Sequence, residues 1–208
     1  MRIRVSAEQY WWRIVYERAD GSLVQTANEV RLPVDATAEF VIDSPDVIHS
    51  FWIPSLGGKM DAIPGRSNVL RLTPTKIGTY RGVCAEFCGP SHALMAFTVD
   101  VQAPADFAAW LDAQAAPASA EAAAFAGAGC GACHIIRGVS EQGSVGPDLT
   151  HFASRPTIAA GTLPNTPNNL RAWLISPSSV KPDAHMPSYA MLPAAELDAL
   201  VAFLTELR

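Results

Sequence analysis

Gly78-Thr-Tyr-Arg-Gly-Val-Cys84-Ala-Glu-Phe-Cys88-Gly-Pro-Ser-His92-Ala-Leu-Met95-Ala-Phe-Thr-Val-Asp-Val101 is a sulfur-bearing loop held between two short β-type runs. The runs at 78–83 and 96–101 mix β-branched and aromatic residues with polar ones, the pattern of half-buried strands. Similar runs lie upstream at 2–5, 11–17, 30–33, 38–43 and 67–72. Turn pairs separate several of them: Asp20-Gly21, Gly57-Gly58 and Pro64-Gly65. Short strands at regular spacing, with no helical period, predict an all-β sandwich or small barrel over residues 1–103. The loop chemistry then falls between its last two strands.

After Val101 the composition changes. Residues 103–129 are rich in alanine, punctuated by Pro104 and Pro117. A short helix at 106–114 would put Phe107, Trp110 and Leu111 on one face, and a second is expected at 119–128. The Pro117 neighbourhood is the best linker candidate. Further on, apolar residues recur at helical spacing over 168–175 and 194–207. Phe125 and the face of Leu197, Leu200, Val201 and Leu204 should pack helix against helix. The predicted division is a β domain at 1–103, an Ala/Pro-rich linker with a short helix at 104–118, and a mostly α domain at 119–208.

Composition agrees with two domains. The chain has 208 residues, 49% of them hydrophobic, enough for two packed cores of ordinary size. A net charge of −5 with no basic run argues against nucleic acid. The acidity is uneven, at net −1 over residues 1–103 and −4 over 104–208. No stretch approaches the ~18 apolar residues of a membrane span. Nor is there a secretory leader, since Met1-Arg-Ile-Arg-Val runs straight into a strand pattern.

All four cysteines fall in two clusters. In the first, Cys84-x3-Cys88-x3-His92-x2-Met95 offers two thiolates, one imidazole and one thioether. Thiolate favours Cu(I), zinc or iron–sulfur, and imidazole suits copper and zinc. A single blue copper needs only one cysteine. Two, four residues apart, can bridge a pair of coppers, each of which then needs a terminal nitrogen. His92 is one; His49, in Asp46-Val-Ile-His49-Ser-Phe-Trp, is the only other histidine in this half. A Cys84–Cys88 disulfide and a structural zinc site are the plainer alternatives.

In the second cluster, Cys130-Gly-Ala-Cys133-His134, two thiols can form thioethers to haem vinyl groups while the adjacent imidazole reaches the iron. A thioredoxin-like C-x-x-C would need a βαβ setting, and the flanks here are alanine-rich helix and Gly/Pro loop. Covalent haem attachment belongs outside the cytoplasm. The missing leader is then expected to reflect an artificial start at Met1, with an export or anchor segment upstream.

Cys84-Ala-Glu86-Phe-Cys88-Gly-x-x-His92-x-x-Met95 resembles the CuA loop of cytochrome c oxidase subunit II. Asp46-Val-Ile-His49-Ser-Phe-Trp-Ile-Pro, Gly58-Lys-Met-Asp61-Ala-Ile-Pro64-Gly65-Arg66 and Gln9-Tyr-Trp11-Trp12-Arg-Ile-Val-Tyr16 resemble further signatures of that subunit. The resemblance implies a cupredoxin-like Greek-key domain holding binuclear copper. Cys84 and Cys88 would bridge the metals, His49 and His92 cap them, and Met95 and the Glu86 carbonyl bind weakly. The Glu86 carboxylate would serve a magnesium ion at the subunit interface. Trp11 or Trp12 would lie where electrons come in; packing in a strand is the plainer role for both.

Residues 119–208 resemble a class I cytochrome c. That implies Met186, before the last helix, as the sixth iron ligand, with His185 and Met191 as rivals. The carbonyl of Pro147, in Gly146-Pro147-Asp-Leu149, would accept a hydrogen bond from His134. Arg155 and Trp173 are candidates for the haem propionates, and His151 for an ordinary loop residue.

Together the halves resemble subunit II of a caa-type oxidase. The resemblance implies electron flow from an external cytochrome or other redox protein to haem c, then to CuA, then to oxygen-reducing subunit I. It also implies other membrane subunits, membrane association through N-terminal helices outside this chain, and a site on the outer, periplasmic face of a bacterial cytoplasmic membrane. Alone, the chain would carry electrons without reducing oxygen. The rivals are a stand-alone periplasmic carrier, a subunit of a CuA-containing nitric-oxide reductase, and a copper-delivery or zinc-storage protein.

Overall fold

The computed structural model describes residues 1–119 and 122–208, which form two compact units, Met1–Ala115 and Ala116–Arg208. Each has its own apolar core.

In the first unit, alternation of apolar and polar residues becomes alternation of burial. Strands β1 (Arg2–Glu8), β2 (Trp11–Glu17) and β5 (Ala38–Asp43) turn every second side chain inward. With β3 (Leu23–Ala27) and β8 (Asn68–Leu72) they make one five-stranded sheet, ordered β3-β2-β1-β5-β8. The second sheet runs β4 (Glu29–Pro33), β10 (Ala96–Gln102), β9 (Gly78–Cys84), β6 (His49–Trp52), β7 (Met60–Ala62). Parallel pairings of β1 with β5 and β10 with β4 sit among antiparallel ones, so the chain crosses repeatedly between sheets. The expected two-layer β-sandwich is present. Between its layers, Trp12 meets Phe51 and Phe97 edge-on, with centroids 5.4 Å away in each case.

Helix α1 (Pro104–Ala115) continues from β10 and longer than the predicted 106–114. Phe107 joins the first core, and Trp110 and Leu111 pack against it.

The second unit is mostly helical. It holds α2 (Ala123–Gly127), α3 (Pro167–Ile175), α4 (Pro177–Val180) and α5 (Ala194–Glu206), with a two-strand ribbon of β11 (Thr157–Ile158) and β12 (Leu163–Pro164). The helix expected at 119–128 is shorter, and two of its residues, 120 and 121, lie outside the described residues. Thr166 caps α3, accepting from the Asn169 N–H at 3.3 Å, with Pro167 opening the first turn. Leu197, Leu200, Val201 and Leu204 of α5 are buried with Phe125 of α2 and Leu170 and Leu174 of α3. No described helix is long and apolar enough to cross a membrane.

Candidate metal centres

β9 ends at Cys84 and β10 begins at Ala96, so residues 85–95 form a loop at one end of the sandwich. The loop's base is closed by the Cys84 N–H donating to the Met95 carbonyl at 2.9 Å. Strand β6 pairs with β9, Phe51 opposite Cys84, which brings His49 alongside the sulfur. A short 3-10 turn at His92–Leu94 returns His92 and then Met95 toward Cys88.

Six donors converge. Cys84 Sγ and Cys88 Sγ are 3.9 Å apart. His49 Nδ1 lies 3.8 Å from the first sulfur and His92 Nδ1 3.6 Å from the second. The Glu86 carbonyl oxygen is 3.2 Å from Cys84 Sγ, and Met95 Sδ is 3.8 Å from Cys88 Sγ. A disulfide needs about 2.05 Å between sulfurs, and both cysteines are free. The ligand atoms of His49, Cys84 and Cys88 all lie within 4.8 Å of one another.

The chemistry of this set favours a soft cation. All six groups offer lone pairs or thiolate-forming sulfur, and a metal would supply the positive charge they share. Sharing between the two sulfurs, with the bond to His49 and against burial, holds the Cys84 thiol well below its ordinary range; the same sharing, together with burial, pushes Cys88 up.

Asp46, which sequence reasoning left without a role, completes the arrangement. Its Oδ1 accepts from His49 Nε2 at 2.8 Å, which commits that nitrogen as a donor and makes Nδ1 the one that faces the sulfur. Burial lowers the His49 pKa, but the bonds to Asp46 and Cys84 win and carry it up to about 9. Burial likewise raises Asp46, and hydrogen bonds from His49 and the Gln9 and Val47 N–H groups bring it down to about 2. An acid three residues before a candidate ligand histidine was the available signal.

Of the two tryptophans, Trp12 is fully buried, its ring 6.3 Å from that of His49. Trp11 points to the opposite face of β2, half-buried, with the Arg13 guanidinium 4.6 Å above its ring. Glu86 presents its side chain to solvent, and Phe87 is 75% exposed beside it.

In the second unit, Cys130 is buried and Cys133 exposed, one on each side of a 3-10 turn. His134 Nδ1 donates to the Pro147 carbonyl at 2.8 Å. Burial lowers the His134 pKa, only partly opposed by that bond, and with Nδ1 committed as a donor Nε2 is the ring nitrogen that could serve as a ligand. Gly146 lies flat against the ring; a Cβ there would stand 2.5 Å from His134 Cε1. Met186 packs against the second core, whereas His185 is exposed and Met191 is 78% exposed. Arg155 donates to the Asp148 carbonyl, and Trp173 packs against the core. His151 is buried, its Nε2 3.0 Å from the Ala116 carbonyl. Tyr189 was also missed. Burial, then the neighbouring Cys130 sulfur, pushes its hydroxyl up to about 12.

Comparison with known families matches residues 3–102 to the periplasmic domain of cytochrome c oxidase subunit II and residues 119–208 to cytochrome c. The first half of the chain carries a subunit II periplasmic domain and the second half a cytochrome c domain. Subunit 2 of cytochrome c oxidase from Alkalihalophilus pseudofirmus is 36% identical over 99% of this chain and 61% of its own length. The Bacillus sp. PS3 subunit 2 is 34% identical over 99% and 62%. The chain therefore spans about three fifths of the length of these relatives. The crystal structure of the periplasmic domain of subunit II (CoxB) from Bradyrhizobium japonicum superimposes with a TM-score of 0.51 and 29% identity, covering 55% of this chain and 92% of that one.

The chain thus pairs a cupredoxin-like β domain with a helical cytochrome c domain. A subunit II periplasmic domain implies copper, a cytochrome c domain implies haem, and the first indicates a location outside the cytoplasm.

Proposed function

We propose that this chain is the electron-transfer part of a haem–copper terminal oxidase, receiving electrons from an external donor and delivering them to the oxygen-reducing subunit I. The observation that carries the reading is the convergence of six donors around two sulfurs 3.9 Å apart. Cys84 and Cys88 would bridge two coppers, His49 and His92 would bind through Nδ1, and Met95 and the Glu86 carbonyl would take the weak positions. The outward Glu86 carboxylate supports a magnesium role against a partner subunit. Trp12, packed near His49, and Trp11, on the outer face, remain the candidates for relaying electrons inward.

For the haem, Cys130 and Cys133 would form the thioethers, His134 would bind iron through Nε2, and Pro147 would orient it. Half-burial of Met186, against exposure of His185 and Met191, supports Met186 as the sixth ligand. The copper domain is assigned to 1–103 and the haem domain to 119–208. One-electron redox chemistry is what a haem and a copper pair supply when bound; the protein places and insulates them. Joining donor and acceptor in one chain substitutes a high effective concentration for diffusion.

Stopped-flow mixing of the metal-loaded chain with a reduced cytochrome tests the order. The haem absorbance should change first and the copper absorbance follow at a rate independent of protein concentration. Copper reduced ahead of haem, or haem that holds its electron, contradicts the proposal.

A further inference from the structure

Gln9, immediately after β1, bonds both to the 85–95 loop and to Asp46, the partner of His49. Its side-chain Nε2 donates to the Cys88 carbonyl at 2.5 Å. Its backbone N–H donates to Asp46 Oδ2 at 2.7 Å, and the other oxygen of that carboxylate accepts from His49 Nε2 at 2.8 Å. Asp46 is further held by the Val47 N–H at 2.6 Å and the Ser44 hydroxyl at 3.0 Å. The approach is close. Gly89 has φ +131°, and a Cβ there would lie 2.4 Å from the Tyr10 hydroxyl oxygen and 3.1 Å from Gln9 Nε2. Only a residue without a side chain lets the Gln9–Tyr10 segment seat against the loop at Cys88.

We propose that Gln9 is a positioning residue for the copper centre. Its amide fixes the backbone that carries Cys88, and its N–H, through Asp46, fixes the ring of His49. Cys88 comes from the 85–95 loop and His49 from β6; the β6–β9 pairing ties His49 to the Cys84 end of that loop, and a tie at the Cys88 end needs a separate link. Gln9 supplies that link from a third element. A metal pair held this way keeps its ligand geometry when its charge changes, because the two sides move only if the end of β1 moves. The inference rests on the copper reading above.

The test uses the metal-loaded chain with Gln9→Glu and Gln9→Ala. Both keep the backbone N–H to Asp46 and remove the donor to the Cys88 carbonyl. Gln9→Glu is isosteric, so it carries the test if Gln9→Ala does not fold. Copper is counted in the unaltered protein first; fewer than two per chain there overturns the copper reading itself, whatever the variants do. Given two, the variants should lose copper to a Cu(I) chelator about 10- to 100-fold faster, the scale of an outer-shell defect. Their copper hyperfine pattern should also change, with the haem spectrum and the melting of the metal-free form as in the parent. Unchanged release and hyperfine pattern in Gln9→Glu overturn the proposal, as does a loss of metal-free stability that accounts for the faster release.

Discussion

At the scale of single residues, metal chemistry is legible wherever the donor side chain is itself the signal. Cys84, Cys88, His92 and Met95 could be read from their spacing because one short loop carries all four. His49 could be read as the only spare histidine in its half, 35 residues from Cys84. Gln9 and Asp46 could not, because each acts through a backbone carbonyl, a backbone N–H or another side chain. In the cytochrome c domain the resemblance favoured Met186 over His185 and Met191, and of the three only Met186 is part-buried. Met186→Ala should abolish the long-wavelength sulfur-to-iron absorption band and lower the haem potential, since methionine ligation raises it. His185→Ala should leave both as they are. Optical spectra and potentiometry of the two variants check this, and a reversed outcome would give the sixth position to His185.

At the scale of elements, strands with clean alternation were legible and short ones were not. β6 and β7 are four and three residues long, too brief for a period of two to stand out, yet β6 delivers His49. β3, missed as well, is fixed by pairing with β2 and not by its own pattern. Glycines show where elements approach too closely for any side chain. A Cβ at Gly82 on β9 would fall 2.0 Å from the Phe97 ring, in the layer beneath the copper loop. Gly82→Ala should therefore lower the melting midpoint of the first domain, by the equivalent of about 1–3 kcal/mol for overpacking a core. Differential scanning calorimetry reads this, and an unchanged midpoint would mean Phe97 is not packed as described. Gly146→Ala should instead push the His134 ring off the Pro147 carbonyl and alter the axial haem spectrum. A normal spectrum in that variant would remove Pro147 from its orienting role.

At the scale of the whole molecule, the change of composition near residue 103 announced two domains, and two separate cores are found. The stretch at 104–118 was less legible. Alanine and proline suggest slack chain, but Phe107, Trp110 and Leu111 dock α1 on the first core, and the Ala118 N–H donates to the Arg137 carbonyl at 2.9 Å within the second unit. Separate cores predict separable metals. Cys84→Ser should abolish the mixed-valence copper signal and leave the haem absorption and potential unaltered; collapse of the haem spectrum in that variant would show that the cores depend on each other. The most direct measurement is metal counting combined with electron paramagnetic resonance on the assembled, metal-loaded chain. Two coppers and one iron per chain, with the unpaired electron spread over both copper nuclei, is the expected result. Zinc at Cys84 and Cys88, a disulfide between them, or one localised copper would contradict it.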